Sequence, residues 1–186
     1  LPLASAHAFE LAHSKGVLKL DATPQRVVSF DLATLDTLAA LDVPVAGVPR
    51  STYEGALARY KDKPVVGTLF EPDYAALKEI QPDLIVSGRR SLPAVPELEK
   101  LAPTVDFMPD LLNFMAHFRD TNLALGKAFG KEEQAKAALA KVDRNVKELH
   151  RINDGKTAAM LFTVKDTIVP HAPGDRYGYA YEMAGL

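Results

Sequence analysis

Two arginines directly follow a short apolar run, in a position that suits the binding of a charged ligand. The run 84–86 reads Leu-Ile-Val, and the segment after it is Ser87-Gly88-Arg89-Arg90-Ser91. Such a run predicts a buried strand, and ligands of parallel sheets bind beyond the carboxyl ends of the strands. Guanidinium groups stay charged and fit planar anions, and a glycine lets a ligand approach the backbone. The segment is a candidate anion site, and the alternative is a solvated basic turn.

A second segment follows another short apolar run in the same way. After Val65 and Val66 the chain reads Gly67-Thr68-Leu69-Phe70-Glu71-Pro72. It offers a hydroxyl group, backbone N–H groups and an aromatic ring at the same predicted edge of the sheet. Thr68, Leu69 and Phe70 are therefore candidate ligand contacts. The alternative is an ordinary turn between a strand and a helix.

A third segment lies near the end of the chain and reads Pro173-Gly174-Asp175-Arg176-Tyr177-Gly178. It places a guanidinium group beside a phenol, which makes Arg176 and Tyr177 candidate ligand contacts. The alternative is that Asp175 caps a helix and pairs with Arg176.

The sequence gives no positive support for catalysis or for a protein-bound metal. Its five histidines show no spacing typical of metal ligands, and it contains no G-x-S-x-G, Walker or G-x-G-x-x-G motif. Asp31, Asp36 and Asp42 are spaced for a solvated helix face rather than for paired acid and base carboxylates. We therefore expect no catalytic residues, no metal ligands and no cofactor.

Composition narrows the classes of partner. The chain has 186 residues, a net charge of -2, 47% hydrophobic residues and no cysteine. These values describe an ordinary globular protein without disulfides, and no segment approaches the roughly 20 apolar residues that a membrane span needs. Because the net charge gives no attraction to nucleic acid, we expect a small molecule or a protein as partner.

The pattern of elements predicts an α/β fold. Residues 9–13 and 17–20 are typical of a hairpin. Short β-branched runs then alternate with helical periodicity, which predicts a mostly parallel sheet covered on both faces. The predicted strands are 27–30, 45–48, 65–67, 84–87 and 105–107, and the predicted helices are 32–41, 73–80 and 94–101.

From residue 111 onwards the pattern is helical, to 129 and again from 131 to about 153. The second helix carries one apolar stripe and, with about 22 residues, would be roughly 33 Å long, which suits a spine between two lobes. A new strand at 157–163 follows Gly155. We therefore expect an amino-terminal lobe over 9–129, a connecting helix over 131–154 and the start of a second lobe over 155–186.

The first eight residues resemble the end of a signal peptide, because Ala6-His7-Ala8 forms an A-x-A cleavage pattern. Cleavage after Ala8 would indicate secretion. An alanine-rich terminus of another origin has the same appearance.

Four phrases in a fixed order resemble one known family. They are Pro24-Gln25-Arg26-Val27-Val28-Ser29-Phe30-Asp31, Leu35-Asp36-Thr37-Leu38-Ala39-Ala40-Leu41, Gly67-Thr68-Leu69-Phe70-Glu71-Pro72-Asp73-Tyr74 and Ile80-Gln81-Pro82-Asp83-Leu84-Ile85. The chain from about Phe9 onwards is similar to the substrate-binding proteins of iron-siderophore ABC importers. Within them it looks closest to the catecholate-binding group, which includes petrobactin- and enterobactin-binding proteins.

That resemblance implies two α/β lobes joined by one long helix, with a ferric siderophore bound in the cleft between them. Arg89 and Arg176 match the family arginines that reach into the cleft, and Arg90, Gly88, Thr68, Leu69, Phe70 and Tyr177 are the further expected ligand contacts. A ferric tris-catecholate carries about three negative charges, which suits permanently protonated arginines.

The resemblance also implies the partners and the location. It implies the permease of an ABC importer as partner and the periplasm of a Gram-negative bacterium as location. Glu97 or Glu99 would dock on the permease, and the alternative for both is a solvated helix face.

The chain departs from the family pattern at two places. Ala75 stands where related sequences carry a glutamate, and His171-Ala172 replaces a common Phe-Gly pair. The family's third basic residue, and the His or Tyr that binds iron in some members, would lie beyond Leu186. An incomplete second lobe is consistent with truncation, proteolysis or domain exchange between two copies. Haem, cobalamin or a metal ion is the alternative ligand, and an α/β enzyme is the remote alternative.

Overall fold

The structure is a computed structural model, and it describes residues 9–186. Contacts divide these residues into two compact units. Unit 1 comprises the described residues up to Met108 together with Thr121–Ala135, and unit 2 comprises Pro109–Asp120 together with Lys136–Leu186. The predicted lobe boundaries stay a prediction, and the predicted signal-peptide remnant at 1–8 lies outside the described residues.

Unit 1 begins with the predicted hairpin. Strand β1 (Phe9–His13) pairs antiparallel with β2 (Gly16–Leu20). Phe9 and Leu11 are buried and alternate with exposed residues, as expected for a strand with one face on a core. The hairpin turn is tied to the rest of the unit, because the N–H and the hydroxyl of Ser14 both donate to the backbone oxygen of Asp106 at 3.0 Å.

The centre of unit 1 is a parallel sheet of four strands, as predicted. They are β3 (Val27–Ser29), β4 (Val45–Gly47), β5 (Leu84–Ser87) and β6 (Thr104–Asp106), in the order β4-β3-β5-β6. The predicted strand 65–67 forms two isolated bridges instead, one between Val65 and Val48 and one between Gly67 and Pro72. It stays short because Gly67, at a φ of 118°, turns the chain at once into a tight loop.

Three α-helices and two 3-10 helices accompany this sheet. The α-helices are α1 (Leu32–Ala40), α2 (Tyr74–Ile80) and α3 (Val95–Leu98), and the 3-10 helices are Gly55–Tyr60 and Arg89–Ala94. Asp31 and Asp73 cap α1 and α2 by accepting backbone N–H groups. The predicted helix 94–101 is shorter than expected and is preceded by a 3-10 helix. Pro93 and Pro96 lack the N–H groups that one continuous α-helix over residues 89–98 would require, so the two helices stay separate.

The sheet is covered on both faces, as the alternation of strands and helices predicts. Val27, Leu84 and Val86 belong to one buried cluster, whereas Val28 and Ile85 belong to a second cluster. Successive residues of a strand point to opposite faces, so each strand contributes to both clusters.

Two long helices follow, α4 (Phe114–Ala128) and α5 (Glu132–Asn153). The 22 residues of α5 confirm the predicted long helix, with a length of about 33 Å. The helices approach each other closely at Gly126, where an added Cβ would lie 2.5 Å from the Cβ of Ala135.

Unit 2 also contains a second hairpin and a short helix. Strands β7 (Met160–Val164) and β8 (Thr167–His171) pair antiparallel, and α6 (Tyr179–Ala184) follows. The predicted strand 157–163 begins three residues later than expected. Among residues 9–186, no helix combines the length and the apolar character needed to cross a membrane.

Candidate anion-binding site

The site is built on the edge of the unit 1 sheet where its parallel strands end. Because all four strands run in the same direction, the residues after β3, β4, β5 and β6 meet at one edge. Segments 67–70 and 87–91, both singled out from the sequence, lie at this edge. We call it the carboxyl edge.

Buried hydroxyl groups brace the loop that carries the two arginines. The Ser91 Oγ accepts the N–H of Gly88 at 3.0 Å and lies 3.0 Å from the Ser87 Oγ. Ser87 and Ser91 are fully buried, whereas Arg89 and Arg90 are exposed. The loop is therefore fixed from below while its guanidinium groups face solvent.

Close packing explains why a glycine occupies position 88, which the sequence did not reveal. An added Cβ would lie 2.8 Å from the backbone oxygen of Phe30, which follows β3. The glycine is buried and lets the ends of β3 and β5 lie side by side. The glycine is therefore needed for packing whether or not a ligand binds there. Its expected contact with a ligand stays a prediction.

The loop 67–72 is closed by its own hydrogen bonds. The Thr68 Oγ1 accepts the N–H groups of Phe70 at 3.1 Å and Glu71 at 2.9 Å, and the Thr68 N–H donates to the Glu71 oxygen at 2.9 Å. An added Cβ at Gly67 would lie only 2.3 Å from that same oxygen. The threonine hydroxyl thus shapes the loop, and its contact with a ligand stays a prediction.

The structure brings the two predicted segments together. Phe70 is 61% exposed at the tip of its loop, and the guanidinium carbon of Arg90 lies 5.6 Å from the centre of its ring. This distance is within the range of a cation–π contact. The two loops therefore form one surface in which a positive charge lies beside an aromatic face.

A buried carboxyl group lies beneath the same edge. Asp106 ends β6, is only 3% exposed, and its Oδ1 has no hydrogen-bond partner among residues 9–186. Burial lowers the pKa of nearby His13, and the charge of Asp106 opposes that effect. Sequence reasoning missed Asp106, because a lone aspartate after an apolar run is also common in turns.

Sequence reasoning also missed a third arginine at the carboxyl edge. Arg50 follows β4, is exposed, and donates its backbone N–H to the Gly67 oxygen at 2.7 Å. The rule that identified Arg89 also applies here, since Val45–Gly47 is a short apolar strand. The two residues Val48 and Pro49 separate Arg50 from that strand and concealed the pattern.

The third predicted segment lies in unit 2 and forms a braced turn. The Asp175 Oδ1 accepts the N–H of Tyr177 at 2.8 Å, and the Oδ2 accepts the N–H of Ala172 at 3.1 Å and lies 2.8 Å from the His171 Nδ1. The hydrogen bond from Tyr177, with smaller contributions from His171 and Ala172, lowers the pKa of Asp175. The alternative considered from the sequence, an ion pair of Asp175 with Arg176, is not found among residues 9–186, where the ion-pair partner of Asp175 is His171. Arg176 lies instead over the ring of Tyr177, at 4.9 Å.

Aromatic rings pack around His171 in the same turn. The ring centres of Phe162, His171 and Tyr177 lie 4.5 to 4.7 Å apart. The Tyr181 hydroxyl donates to the His171 oxygen at 2.7 Å and accepts the N–H of Met160 at 2.7 Å. His171 therefore packs between two aromatic rings and also contacts the Asp175 carboxylate.

The two predicted docking residues are exposed on or beside α3. Glu97 pairs with Lys100 at 2.6 Å, and Glu99 follows the last residue of the helix. Their contact with a permease stays a prediction. Across residues 9–186, no group of three or more His, Asp or Glu side chains is arranged to hold a metal ion.

Comparisons with known proteins agree with this architecture. The periplasmic binding protein family matches residues 27–180. The petrobactin-binding protein YclQ of Bacillus subtilis is 32% identical over 178 residues, which cover 92% of this chain and 56% of YclQ. The ferric-anguibactin-binding protein FatB of Vibrio anguillarum is 28% identical over 191 residues, which cover 95% of this chain and 58% of FatB. The chain thus spans a little over half the length of these relatives.

Solved structures give the same result. The structure of YclQ superposes with a TM-score of 0.87 at 29% identity, covering 97% of this chain and 66% of YclQ. The catecholate-siderophore binding protein VctP of Vibrio cholerae gives a TM-score of 0.83 at 27% identity, covering 97% of this chain and 67% of VctP. These relatives are named for siderophores, which are cargo rather than cofactors. The resemblance seen in the sequence is confirmed, and the chain belongs to the periplasmic binding protein family.

Proposed function

We propose that the protein containing this chain binds a ferric siderophore of the anionic catecholate type and delivers it to an ABC importer. Its place of action would be the periplasm of a Gram-negative bacterium. The observation that carries the proposal is the shared surface of Arg90 and Phe70 at the carboxyl edge, with Arg89 exposed beside it. The named ligands of the relatives, petrobactin for YclQ and a catecholate siderophore for VctP, support it.

The chemistry of these side chains suits such a ligand. Arginine forks donate charge-assisted hydrogen bonds to the oxygens of a chelate whose negative charge is delocalised. The rings of Phe70 and Tyr177, with Leu69, would contact the apolar edges of the catechol groups. Arg176 would supply a further cation to the same ligand, as the resemblance to the family implies. Binding and release need no turnover, so the proposal includes no catalytic residue.

The proposal does not require a second copy of the chain. Nothing among residues 9–186 supports the domain exchange considered from the sequence, and one protein with one permease suffices for delivery.

A binding panel on the full-length protein tests the proposal. Ligand binding is followed as quenching of intrinsic protein fluorescence, to which the six tyrosines of this chain contribute. The panel contains a ferric catecholate, a ferric hydroxamate, ferric citrate and haem. We expect the lowest Kd for the ferric catecholate, because it combines a charge of about -3 with aromatic rings that can pack against Phe70. Tighter binding of the hydroxamate or of haem would overturn the assignment of ligand class.

A further inference from the structure

Arg50 shares the carboxyl edge with the two arginines already described. Val48 pairs with Val65, and two residues later the Arg50 N–H donates to the Gly67 oxygen at 2.7 Å. This short parallel ladder continues β4 to the edge of the sheet. It fixes the backbone of Arg50 beside the first residue of the 67–72 loop.

The sheet order places Arg50 between the two loops of the site. Strand β4 is at one end of the sheet, and Val65, just before the 67–72 loop, pairs with Val48 on the side of β4 that faces away from β3. Arg90 follows β5, which lies on the other side of β3. The contact of Arg90 with Phe70 at 5.6 Å shows that these loops approach each other across the ends of β4 and β3. Two strand spacings, about 10 Å, separate β4 from β5. Arg50 therefore emerges from one of the two strands that the loops enclose.

Pairing distinguishes the arginines at this edge from the other arginines of unit 1. Arg26 donates to the Gln81 oxygen at 2.6 Å, and Arg59 lies 2.9 Å from the Asp42 carboxylate. Among residues 9–186, no carboxylate lies within ion-pair distance of the three arginines at the carboxyl edge, Arg50, Arg89 and Arg90. Three cations without a carboxylate partner at one edge raise the local positive potential, which a multiply charged anion would neutralise.

We propose that Arg50 is a third anion-binding residue of unit 1 and that it makes the site selective for chelates of high negative charge. The inference rests on the proposed function, since it assigns Arg50 to the same ligand as Arg89 and Arg90. A guanidinium group from β4 contacts the side of the chelate that the β5 arginines do not cover. Removing it penalises a trianionic chelate more than a neutral one.

The test compares two arginine variants of the full-length protein that lose the same charge. In Arg50→Ala, we expect the Kd for a ferric tris-catecholate to rise about 10- to 100-fold, the range for losing a hydrogen bond to a charged group. In Arg59→Ala, which loses an arginine already paired with Asp42, the Kd stays within about twofold of the parent. Arg50→Lys recovers part of the loss, because it keeps the charge without the planar fork.

Two further measurements on Arg50→Ala test whether a loss of affinity comes from the lost contact with the ligand. The first detects a loss of stability, and the second measures how strongly binding depends on salt. The thermal unfolding midpoint of Arg50→Ala should match the parent, since the side chain is exposed and its backbone hydrogen bond is kept. The Kd of Arg50→Ala should also depend less on sodium chloride than the Kd of the parent, because fewer charges meet in the complex.

The outcomes distinguish this inference from the proposed function. If Arg50→Ala binds the chelate as tightly as the parent while Arg89→Ala and Arg90→Ala bind it weakly, Arg50 has no role and the proposed function stands. If Arg50→Ala and Arg59→Ala lose affinity equally, the effect is one of net charge and the inference is wrong. If the parent binds no ferric catecholate, the proposed function fails and the inference fails with it.

Discussion

At the scale of single residues, Arg89 and Arg90 are neighbours with different surroundings. Both belong to the 3-10 helix Arg89–Ala94, in which successive side chains point about 120° apart. Arg90 lies over the Phe70 ring, whereas no ring or carboxylate contact is found for Arg89 among residues 9–186. Arg89 is therefore free to turn toward a ligand, whereas Arg90 already contacts the tip of the 67–72 loop.

We predict different effects for the two arginines. Arg89→Ala should weaken ferric-catecholate binding by about 2 to 4 kcal/mol, the range for losing one side of a buried charge pair. This corresponds to a roughly 30-fold to 1,000-fold higher Kd. Arg90→Ala should weaken binding less, and Arg89→Lys should recover only part of the loss. Fluorescence quenching titrations of the full-length variants measure all three.

Two results would change this account in different ways. If Arg90→Ala loses affinity and Arg89→Ala does not, the roles of the two residues are exchanged and the site remains. If neither variant changes the Kd, binding by an anionic site at this edge is wrong.

At the scale of elements, the loops of the site depend on contacts that fix their shape. Gly67 and Gly88 allow backbone approaches that no other residue permits, and hydroxyl groups of Thr68 and Ser91 complete the two loops. In unit 2, Asp175 plays the equivalent part for the turn that carries Arg176. The arginines are exposed, but the backbone beneath them is closely constrained.

We predict that Gly88→Ala destabilises the protein by about 1 to 3 kcal/mol, the usual cost of an overpacked position. The new methyl group would lie 2.8 Å from the Phe30 oxygen, and backbone atoms cannot move away easily. Gly174→Ala is the matched control, because no atom lies within 4 Å of its added Cβ and we expect a change within about 0.5 kcal/mol. Urea unfolding measures both, and equal stability of the two variants would contradict the packing role.

The turn of unit 2 gives a prediction about pH. The pKa of Asp175 is depressed in the folded protein, so its carboxylate stabilises the turn above the ordinary carboxyl pKa and stops doing so as the pH falls through the lower value. The amide resonances of Tyr177 and Ala172 should report a transition below about pH 3.9, the ordinary aspartate value. Asp175→Asn should abolish the transition. A midpoint at or above the ordinary value would contradict the assigned hydrogen bonds.

The sequence was informative for elements with a strong pattern and uninformative for elements with a weak one. The bounds of β5 match the prediction, because four buried residues directly precede the Gly88 turn. Strand β8 was missed because it contains Pro170, and proline is rare in strands. Helix α6 was missed because its six residues are too few to show a helical periodicity. Arg90 and Phe70 were both predicted as contacts, but their approach depends on how two loops fold across the sheet edge, which periodicity does not encode.

At the scale of the whole molecule, the proposed function requires recognition of a permease as well as of a ligand. Charge reversal at both predicted docking residues, Glu97→Lys and Glu99→Lys, should slow siderophore uptake and leave the Kd for the ligand unchanged. Glu79→Lys, which changes an exposed glutamate on α2, is the control. Uptake of iron-labelled siderophore by cells that lack their own binding protein measures the effect. Normal uptake by the double variant would remove both residues from the interface.

The central claim is that an anionic ferric chelate binds at the carboxyl edge of unit 1 through its arginines. A crystal structure of the full-length protein with a bound ferric catecholate tests this most directly. We predict that guanidinium nitrogens of Arg89 lie within about 3 Å of catecholate oxygens, the distance of a charge-assisted hydrogen bond, and that Arg176 contacts the same chelate. A chelate bound away from this edge, or one that neither Arg89 nor Arg90 contacts, would contradict the claim.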